Sequence, residues 1–399
     1  MATTCRRFST GAGRLESRPV SAQNILALNS GSSSLKFGLY RVDSAGAEKL
    51  FGETVSTVST VDTAEPADPT TRIASLLAAS SMPPPDAIGH RIVHGGPALR
   101  RHGRIDDGVL RQLQAAAAFA PLHTPAALAL IRSAQAHFPG LPQVACFDTE
   151  FHAGLPDVAR VLPIARELQV DGIQRYGFHG LSLESIVRQL GSNLPQQLSV
   201  QLPERLVIAH LGNGASITAV KAGRSVDTSM GLTPTGGVIM GTRSGDLDPG
   251  VLVYLLREKK FDAAQLEALV DQRSGLLGIS GVSGDMRRLH EAAASNAAAR
   301  LAIEMFCASV RKQIAAMIAV LDGLDMLVFT GGIGENDAAV RAAICGGLSF
   351  VGISLDDARN RAASDPFGVI HDGASRCQVH VLASQEDEQI ARHTWALLA

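Results

Sequence analysis

The feature that most constrains the fold of this chain is a repeated strand–turn–strand unit. An apolar run at residues 25–28 leads through the small-residue segment 29–34 into an alternating run at 35–42. The same order of apolar run, small residues and apolar run recurs at 206–220. Short apolar or alternating runs bounded by small residues predict strands. Two such units about half a chain apart predict a duplicated architecture.

The rest of the pattern mixes strands with helices. A third apolar strand is predicted at 326–329, and the glycine-rich turn 330–336 follows it. Residues 303–321 carry apolar side chains at a spacing of three and four, which predicts one face of a helix packed against a core. Such a mixture indicates the α/β class. The length of 399 residues favours about two domains.

Charge and cysteine content exclude several classes of protein. A formal net charge of −2 argues against nucleic acid or an anionic membrane surface as the main partner. No apolar run approaches the roughly 18 residues of a membrane helix. Five scattered cysteines without a C-x-x-C pair indicate neither a disulfide framework nor a cysteine zinc site, and they suit a reducing compartment. We therefore expect a cytoplasmic protein.

The chain begins with an Arg- and Ser-rich segment. Residues 1–23 contain four arginines and one acid, and they lack the apolar core of a secretory signal. They can be a disordered extension or an organelle transit peptide. The folded part is predicted to begin near Asn24.

The small-residue turns are candidates for binding phosphate. In the segment 29–36, backbone N–H groups can converge on an anion, Ser32 and Ser34 add hydroxyl donors, and Lys36 adds a compact positive charge. The segment lacks the Walker pattern. The turn 210–214 follows the equivalent strand of the second unit. Each turn alone is commonly structural, but the pair favours nucleotide binding.

Charged side chains also interrupt the predicted core. Arg91 lies between two histidines at a strand end, where a guanidinium needs a carboxylate or phosphate partner. Asp148 ends an apolar strand, where it can bind Mg²⁺ or cap a helix. His179 and Arg243 stand in glycine-rich segments, which suit either a bound ligand or a tight turn.

Eight segments in order along the chain carry a family resemblance. They read N-S-G-S-S-S-L-K at 29–36, G-H-R-I-V-H-G-G at 89–96, A-P-L-H at 120–123, F-D-T-E-F-H at 147–152, R-Y-G-F-H-G at 175–180, H-L-G-N-G at 210–214, D-T-S-M-G-L-T-P at 227–234 and G-I-G-E-N at 332–336. From about Ile25 onward the chain resembles the acetate kinase family of the acetate and sugar kinase, heat-shock 70 and actin superfamily.

The resemblance implies two duplicated actin-like (ribonuclease H-like) domains with the active site in the cleft between them. Residues 24–150 and 387–399 would form the N-terminal domain. Residues 151–386 would form the C-terminal domain, with the nucleotide site and a homodimer interface.

The resemblance also implies roles for individual residues. Asn29 and Glu386 correspond to the site of Mg²⁺ (or Mn²⁺), with Asp148 beside it. Arg91 corresponds to the arginine that binds the substrate carboxylate, and His179 and Arg243 to the pair that stabilises the transferring phosphoryl group. The methyl pocket corresponds to Val93, Leu122, Phe178 and Pro234. The ATP-binding segments correspond to Lys36, His210, Leu211, Gly212, Asn213, Gly214, Asp285, Met286, Arg287, Gly332, Ile333, Gly334, Glu335 and Asn336.

These residue types suit phosphoryl transfer from ATP to acetate, giving acetyl phosphate and ADP reversibly. A carboxylate with a reference pKa near 4 is already a nucleophilic anion at pH 7. Cations placed around the transferring group can then supply the catalysis by direct in-line attack. Asp148 is interpreted as an organiser of metal or water, with a role as base left open. Glu386 stands in S-Q-E-D at 384–387, a variant of the family motif.

Other functions compete with this interpretation. A propionate kinase would use the same scaffold. Val93 favours the smaller acid, because a smaller residue is expected where a longer acyl chain must fit. A methylene in an apolar pocket is worth only about 1–3 kcal/mol, so propionate would be a poorer substrate and not an excluded one. A non-catalytic nucleotide switch would need no cage of Arg91, His179 and Arg243. A sugar kinase would need an aspartate base and polar side chains for hydroxyl groups.

Overall fold

The computed structural model describes residues 21–31, 34–56, 69–121, 123–192, 202–362 and 368–399. The N-terminal extension up to residue 20 lies outside them, as do the predicted site residues Ser32 and Leu122. For Ser34 only the backbone is described.

The first sheet has six strands in the order β3-β2-β1-β4-β6-β5. Strands β1, β2 and β3 form an antiparallel meander, and β4 and β6 extend the sheet parallel to β1. The short β5 pairs antiparallel with β6. Their bounds are β1 Gln23–Ser30, β2 Ser34–Val42, β3 Ala47–Ser56, β4 Ala87–Ile92, β5 Gly103–Arg104 and β6 Gln143–Phe147.

The second sheet repeats this plan with five strands in the order β11-β10-β7-β8-β9. Strands β7, β8 and β9 form the antiparallel meander, and β10 and β11 run parallel to β7. Their bounds are β7 Arg205–Leu211, β8 Ala215–Lys221, β9 Arg224–Thr228, β10 Met326–Thr330 and β11 Gln378–Val381. The predicted α/β class and the predicted duplication are therefore confirmed.

Helices cover the sheets. Their bounds are α1 Pro69–Ala79, α2 Asp107–Ala115, α3 Thr124–His137, α4 Asp157–Arg160, α5 Arg166–Gln169, α6 Gly180–Ser192, α7 Pro249–Arg257, α8 Ala263–Gln272, α9 Gly275–Ser280, α10 Met286–Ala293, α11 Ala297–Leu321, α12 Gly331–Asn336, α13 Ala338–Cys345, α14 Asp357–Arg361 and α15 Glu386–Leu398. Within α11, the segment predicted to be a helix packs its apolar side into the core of the second sheet, as expected. In the part of the chain that the structure describes, no helix combines the length and apolarity needed to cross a bilayer.

One local prediction was wrong. The glycine-rich segment after β10 is a short helix, α12, and not an open turn. Gly331 makes the change of direction with a φ of +78°, and a Cβ there would lie 2.8 Å from the backbone oxygen of Leu211. The helix therefore starts directly at the strand end, where the Gly331 N–H donates to the Glu335 side chain of the same helix.

Helices α15 and α6 link the end of the chain to both sheets. Ile390 of α15 packs with Ile25 and Leu181 under the first sheet. Farther along α6, Ile186 packs with Ile208 on the second sheet. The C-terminal helix therefore belongs to the core of the first sheet, and α6 bridges the two.

Candidate active site

A cavity of about 770 Å³ opens where the strands of both sheets end. Asn29 and Arg91 come from the ends of β1 and β4, Asp148 follows β6, and His210 lies near the end of β7. In open α/β sheets, ligands bind at the carboxyl ends of such strands. The predicted residues that line the cavity are Asn29, Lys36, Arg91, Val93, Asp148, Phe178, His179, His210, Gly212, Asn213, Gly214, Pro234, Arg243, Gly332, Glu335, Asn336 and Glu386.

Arg91 and Asp148 form a buried ion pair on the floor of this cavity. Arg91 donates from Nε and Nη2 to Asp148 Oδ2 at 2.9 and 2.6 Å. The other carboxylate oxygen, Oδ1, has no hydrogen-bond partner among the described residues, although Asp148 is 1 % exposed. Burial raises the pKa of Asp148, and the Arg91 guanidinium opposes that rise. A buried oxygen without a partner needs a ligand, an ion or a water to satisfy it.

Acidic side chains from α15 complete this side of the cavity. Asn29 Nδ2 donates to Glu386 Oε2 at 2.9 Å and to Asp387 Oδ1 at 2.8 Å. Burial alone raises the pKa of Glu386, but Arg91 and other cations nearby lower it overall. With Asp148 Oδ1, these groups are the hard oxygen ligands that Mg²⁺ prefers. The donor set therefore fits a divalent cation.

His179 occupies an unusual backbone position at the start of α6. Its φ is +60°, a left-handed conformation that non-glycine residues adopt rarely. Nδ1 lies 2.9 Å from Ser216 Oγ, and the ring stacks on His210 with centroids 4.1 Å apart. Burial, followed by the charges of His210 and Arg91, lowers the pKa of His179 well below its usual value. The imidazole is therefore neutral at pH 7, and its single proton lies on Nε2 when the Ser216 hydroxyl donates to Nδ1 and on Nδ1 when that hydroxyl accepts.

Arg243 lies beside His179. A Cβ on Gly214 would be 3.2 Å from Arg243 Nη1 and 3.4 Å from His179 Nε2, so both groups face the same point of the cavity. Arg243 Nη1 donates to the Pro234 carbonyl at 3.2 Å. Burial lowers the pKa of the guanidinium, which remains far above neutrality. The neutral imidazole of His179 and the charged guanidinium of Arg243 therefore lie close to the same point of the cavity.

Apolar side chains form one wall of the same region. Val93, Phe178 and Pro234 line the cavity as predicted. His123 lines it too, and burial followed by the charges of Arg243 and Arg91 lowers its pKa to about 4. A second cavity of about 280 Å³ adjoins through Val93 and His123 and continues along α3.

The opposite wall consists mainly of backbone and polar groups. Glu335 Oε1 accepts hydrogen bonds from the N–H of Gly331 at 2.9 Å and of Ser384 at 3.0 Å, which ties α12 to the segment before α15. Among the described residues, six that were predicted to bind ATP do not line the cavity: Leu211, Asp285, Met286, Arg287, Ile333 and Gly334. Met286 is in the core of the second sheet, and Asp285 caps α10 and pairs with Arg287 at 2.7 Å.

Sequence reasoning missed several lining residues. They are Tyr40, Lys49, His123, Ser384, Gln385, Asp387 and Glu388, whereas Gly31 and Gly331, which also line the cavity, lie in turns that the sequence had already singled out. His123 stands in a quoted motif, and Asp387 adjoins Glu386, so both had a local signal. Lys49 had none, because the pairing of β2 with β3 brings it beside Tyr40.

Comparisons with known proteins agree with one another. The model of the acetokinase family matches residues 24–392. The acetate kinase of Methylocella silvestris is 40 % identical, and the match covers 94 % of this chain and 98 % of that protein. The acetate kinase of Brachyspira hyodysenteriae is 38 % identical, and the match covers 94 % of this chain and 99 % of that protein. Among solved structures, Porphyromonas gingivalis acetate kinase has a TM-score of 0.80 at 34 % identity, covering 95 % of this chain and 100 % of that one. A Francisella tularensis propionate kinase has a TM-score of 0.81 at 35 % identity, with coverages of 94 % and 100 %.

Proposed function

The chain belongs to the acetokinase family, and we propose on that premise that it transfers the γ-phosphoryl group of ATP to acetate. It is an ATP-dependent phosphotransferase, as the relatives named acetate kinase indicate. The observation that carries the choice of acceptor is the convergence of Arg91, His179 and Arg243 on a cavity with an apolar wall. A nucleotide switch has no need of such a cage.

Arg91 would hold the acetate carboxylate. Within the described residues, its Nη1 makes long bonds alone, to Asn29 Oδ1 at 3.3 Å and to the Ser30 carbonyl at 3.4 Å, so this group can turn toward an incoming anion. Val93, Phe178 and Pro234 would face the methyl group, with Leu122 as the fourth proposed member. Because acetate is already ionised, no side chain has to remove a proton from it.

His179 and Arg243 would stabilise the transferring phosphoryl group. Charge in that transition state spreads over three equatorial oxygens, and positioned cations and N–H donors stabilise it. Neutral His179 would donate from Nε2 and Arg243 from its guanidinium, both beside Gly214. Transfer is then direct and in line, without a phosphoenzyme. With chirally labelled γ-phosphate we expect inversion, and net retention would contradict a single transfer.

Asn29, Asp148, Glu386 and Asp387 would hold Mg²⁺ (or Mn²⁺). The bound ion would neutralise charge on the ATP phosphates. Asp148 then serves to position metal or water through Oδ1 and is not required as a base. Lys36, Ser32, Ser34 and the segments 210–214, 285–287 and 332–336 are proposed to bind the nucleotide.

Propionate is the second candidate acceptor, since one similar structure is a propionate kinase. Because Val93 lies in the apolar wall of the cavity and limits the space there, the additional methylene of propionate should weaken binding by about 1–3 kcal/mol. Acyl phosphate formation, trapped as the hydroxamate with ATP and Mg²⁺, should give the highest kcat/KM with acetate, then propionate, then butyrate. A tenfold advantage for propionate would change the assigned substrate. Full activity in an Arg243→Ala variant that folds would contradict the kinase mechanism.

We also propose that the protein is a cytoplasmic homodimer. Each subunit would have two domains, one formed by residues 24–150 with 387–399 and the other by residues 151–386. Apolar side chains on α7 and α11 support the dimer, because Tyr254, Leu301 and Met305 are 53 %, 49 % and 39 % exposed. Light scattering should give twice the chain mass of 41.8 kDa. Tyr254→Asp with Met305→Asp should give the monomer, whereas Val158→Asp, an exposed position outside these helices, should not.

A further inference from the structure

Two histidines and a glutamate meet at one point outside the candidate active site. His393 of α15 places Nε2 2.5 Å from Glu184 Oε2 of α6. His102, in the segment before β5, places Nε2 4.0 Å from the same oxygen. The three ligand atoms all lie within 4.8 Å of one another, and none of them lines the cavity described above. Three separate chain segments thus converge.

One atom of this group is unsatisfied. His102 Nε2 is buried and has no hydrogen-bond partner in the described part of the chain, and the side chain is 6 % exposed. A buried polar atom without a partner is costly. It lies between the ring of His393, 4.1 Å away between centroids, and the carboxylate of Glu184. A bound group at this point would satisfy it.

The other ring nitrogen of His102, Nδ1, faces a carboxylate. Nδ1 lies 2.7 Å from Glu150 Oε2 and accepts a hydrogen bond from the backbone N–H of Phe147 at 3.0 Å. When Nε2 binds a metal, the remaining ring proton lies on Nδ1, where the Glu150 carboxylate can accept it. A carboxylate behind a ligating imidazole is the usual second layer of a metal site.

We propose that His102 Nε2, Glu184 Oε2 and His393 Nε2 bind a divalent transition metal of the zinc type. Imidazole nitrogen with one carboxylate suits zinc, whereas Mg²⁺ prefers oxygen ligands alone. Bonds of about 2.0–2.1 Å in a tetrahedron separate ligand atoms by about 3.3 Å, between the two distances of 2.5 and 4.0 Å. Reaching that geometry requires the side chains to rotate and the Gln389 amide, whose Nε2 lies 3.0 Å from His393 Nε2, to move aside. His393 is 26 % exposed, which leaves an entry path and a fourth position for water.

The local charge supports a cation. Glu184 and Glu150 contribute two negative charges, and the exposed Arg101, 3.5 Å from Glu150 Oε1, offsets one of them, so the group is net negative when both imidazoles are neutral. The two carboxylates raise the pKa of His102 to about 9 against the effect of burial, so a proton occupies the site when metal is absent. Zinc must displace that proton, and its affinity should rise with pH.

The site would join two helices that serve the candidate active site. Helix α15 begins with Glu386 and Asp387, and α6 begins directly after His179. A metal shared by Glu184 and His393 would hold these helices at a constant separation. It is a positioning site on this account and touches no reacting atom.

The test uses the full chain, stripped with chelator and dialysed, with excess Mg²⁺ to occupy the oxygen ligands of the active site. Zinc titration at pH 7.5 should give one ion per chain and raise the melting temperature by at least about 2 °C. His393→Gln and Glu184→Gln should each weaken zinc binding at least about tenfold. His290→Gln is the matched control, because His290 Nε2 also lies 2.7 Å from a carboxylate, that of Asp337.

Cobalt provides a second readout on the unmodified chain. Four-coordinate Co²⁺ should give an intense visible absorption that zinc displaces. A weak six-coordinate spectrum, no stoichiometric zinc in the presence of Mg²⁺, or zinc affinity that survives in both His393→Gln and Glu184→Gln would overturn the proposal. In the first two cases the three side chains hold a proton only. Kinase activity with Mg²⁺ alone is measured separately, so loss of the proposed function would be recognised independently.

Discussion

Arg91 binds Asp148 through a single carboxylate oxygen: both guanidinium contacts, at 2.9 and 2.6 Å, go to Oδ2. Oδ1 is buried and has no partner among the described residues. The pair therefore places an anion with one free oxygen at the floor of the cavity, next to Asn29 and Glu386.

Asp148→Asn should keep the shape of this pair but remove its charge. Because a neutral amide binds Mg²⁺ more weakly than a carboxylate does, we expect kcat to fall about 10–100-fold and the Mg²⁺ concentration for half-maximal activity to rise. Steady-state kinetics across a Mg²⁺ series checks this. Asp325→Asn is the control, since Asp325 makes a similar 2.6 Å pair with Arg205 away from the cavity. An unchanged Mg²⁺ requirement in Asp148→Asn would argue against its place beside the metal.

Ser216→Ala should release the His179 ring. Without the hydroxyl 2.9 Å from Nδ1, the neutral ring is free to move its proton to that nitrogen and lose the Nε2 donor. We expect kcat to fall about tenfold, equivalent to about 1.4 kcal/mol, with little change in the KM for acetate. Ser225→Ala removes an equivalent hydroxyl from the buried His152 and should leave kcat unchanged. Equal losses in the two variants would indicate a general effect on folding.

Gly332→Ala tests how closely a nucleotide approaches α12. A Cβ at Gly332 meets no atom of the described residues within 4 Å, so the substitution should not destabilise the fold. If the nucleotide lies against this backbone, the KM for ATP rises several-fold while that for acetate stays constant. Gly154→Ala, where a Cβ also has open space, is the control. An unaltered KM for ATP would remove 332–336 from the nucleotide site.

Buried histidines should make the protein sensitive to acid. Burial lowers the pKa of His90 and His152 to about 4. Between pH 6.5 and 4 the unfolded chain binds more protons than the folded one, so the free energy of unfolding should fall as pH falls. Urea unfolding at stepped pH values should show this decline. The fall in the free energy of unfolding between pH 6.5 and 4 should be about 2–3 kcal/mol smaller in His90→Gln.

The pKa shift of His102 has the opposite sign, and so does its effect on the pH dependence of stability. Its pKa is raised to about 9, so its contribution to stability is complete below pH 6.5 and disappears as pH rises toward 9. In chelator, His102→Gln should therefore flatten the profile on the alkaline side only. A loss confined to acid pH in that variant would contradict the assignment of Glu150 and Glu184 as its partners.

Much of the fold could be predicted from local patterns. The apolar run at 25–28 became β1, the run at 326–329 became β10, and the helical spacing at 303–321 is part of α11. The three glycine-rich segments do border one cavity. The segment at 331–336 was harder to predict, because glycine content indicates a turn, whereas the close approach of Gly331 to the Leu211 backbone, which leaves no room for a Cβ, is a tertiary feature.

Sequence alone determined what depends on neighbours along the chain: strand and helix periodicity, the duplicated unit, and the chemical types in each motif. Only the tertiary structure decided which groups meet. Asn29 and Glu386 are 357 positions apart and yet bonded at 2.9 Å, and His102 joins Glu184 and His393 across three segments. The physical reason is that such distances depend on strand register and on the docking of α15 and α6, which the summed packing of both sheets determines.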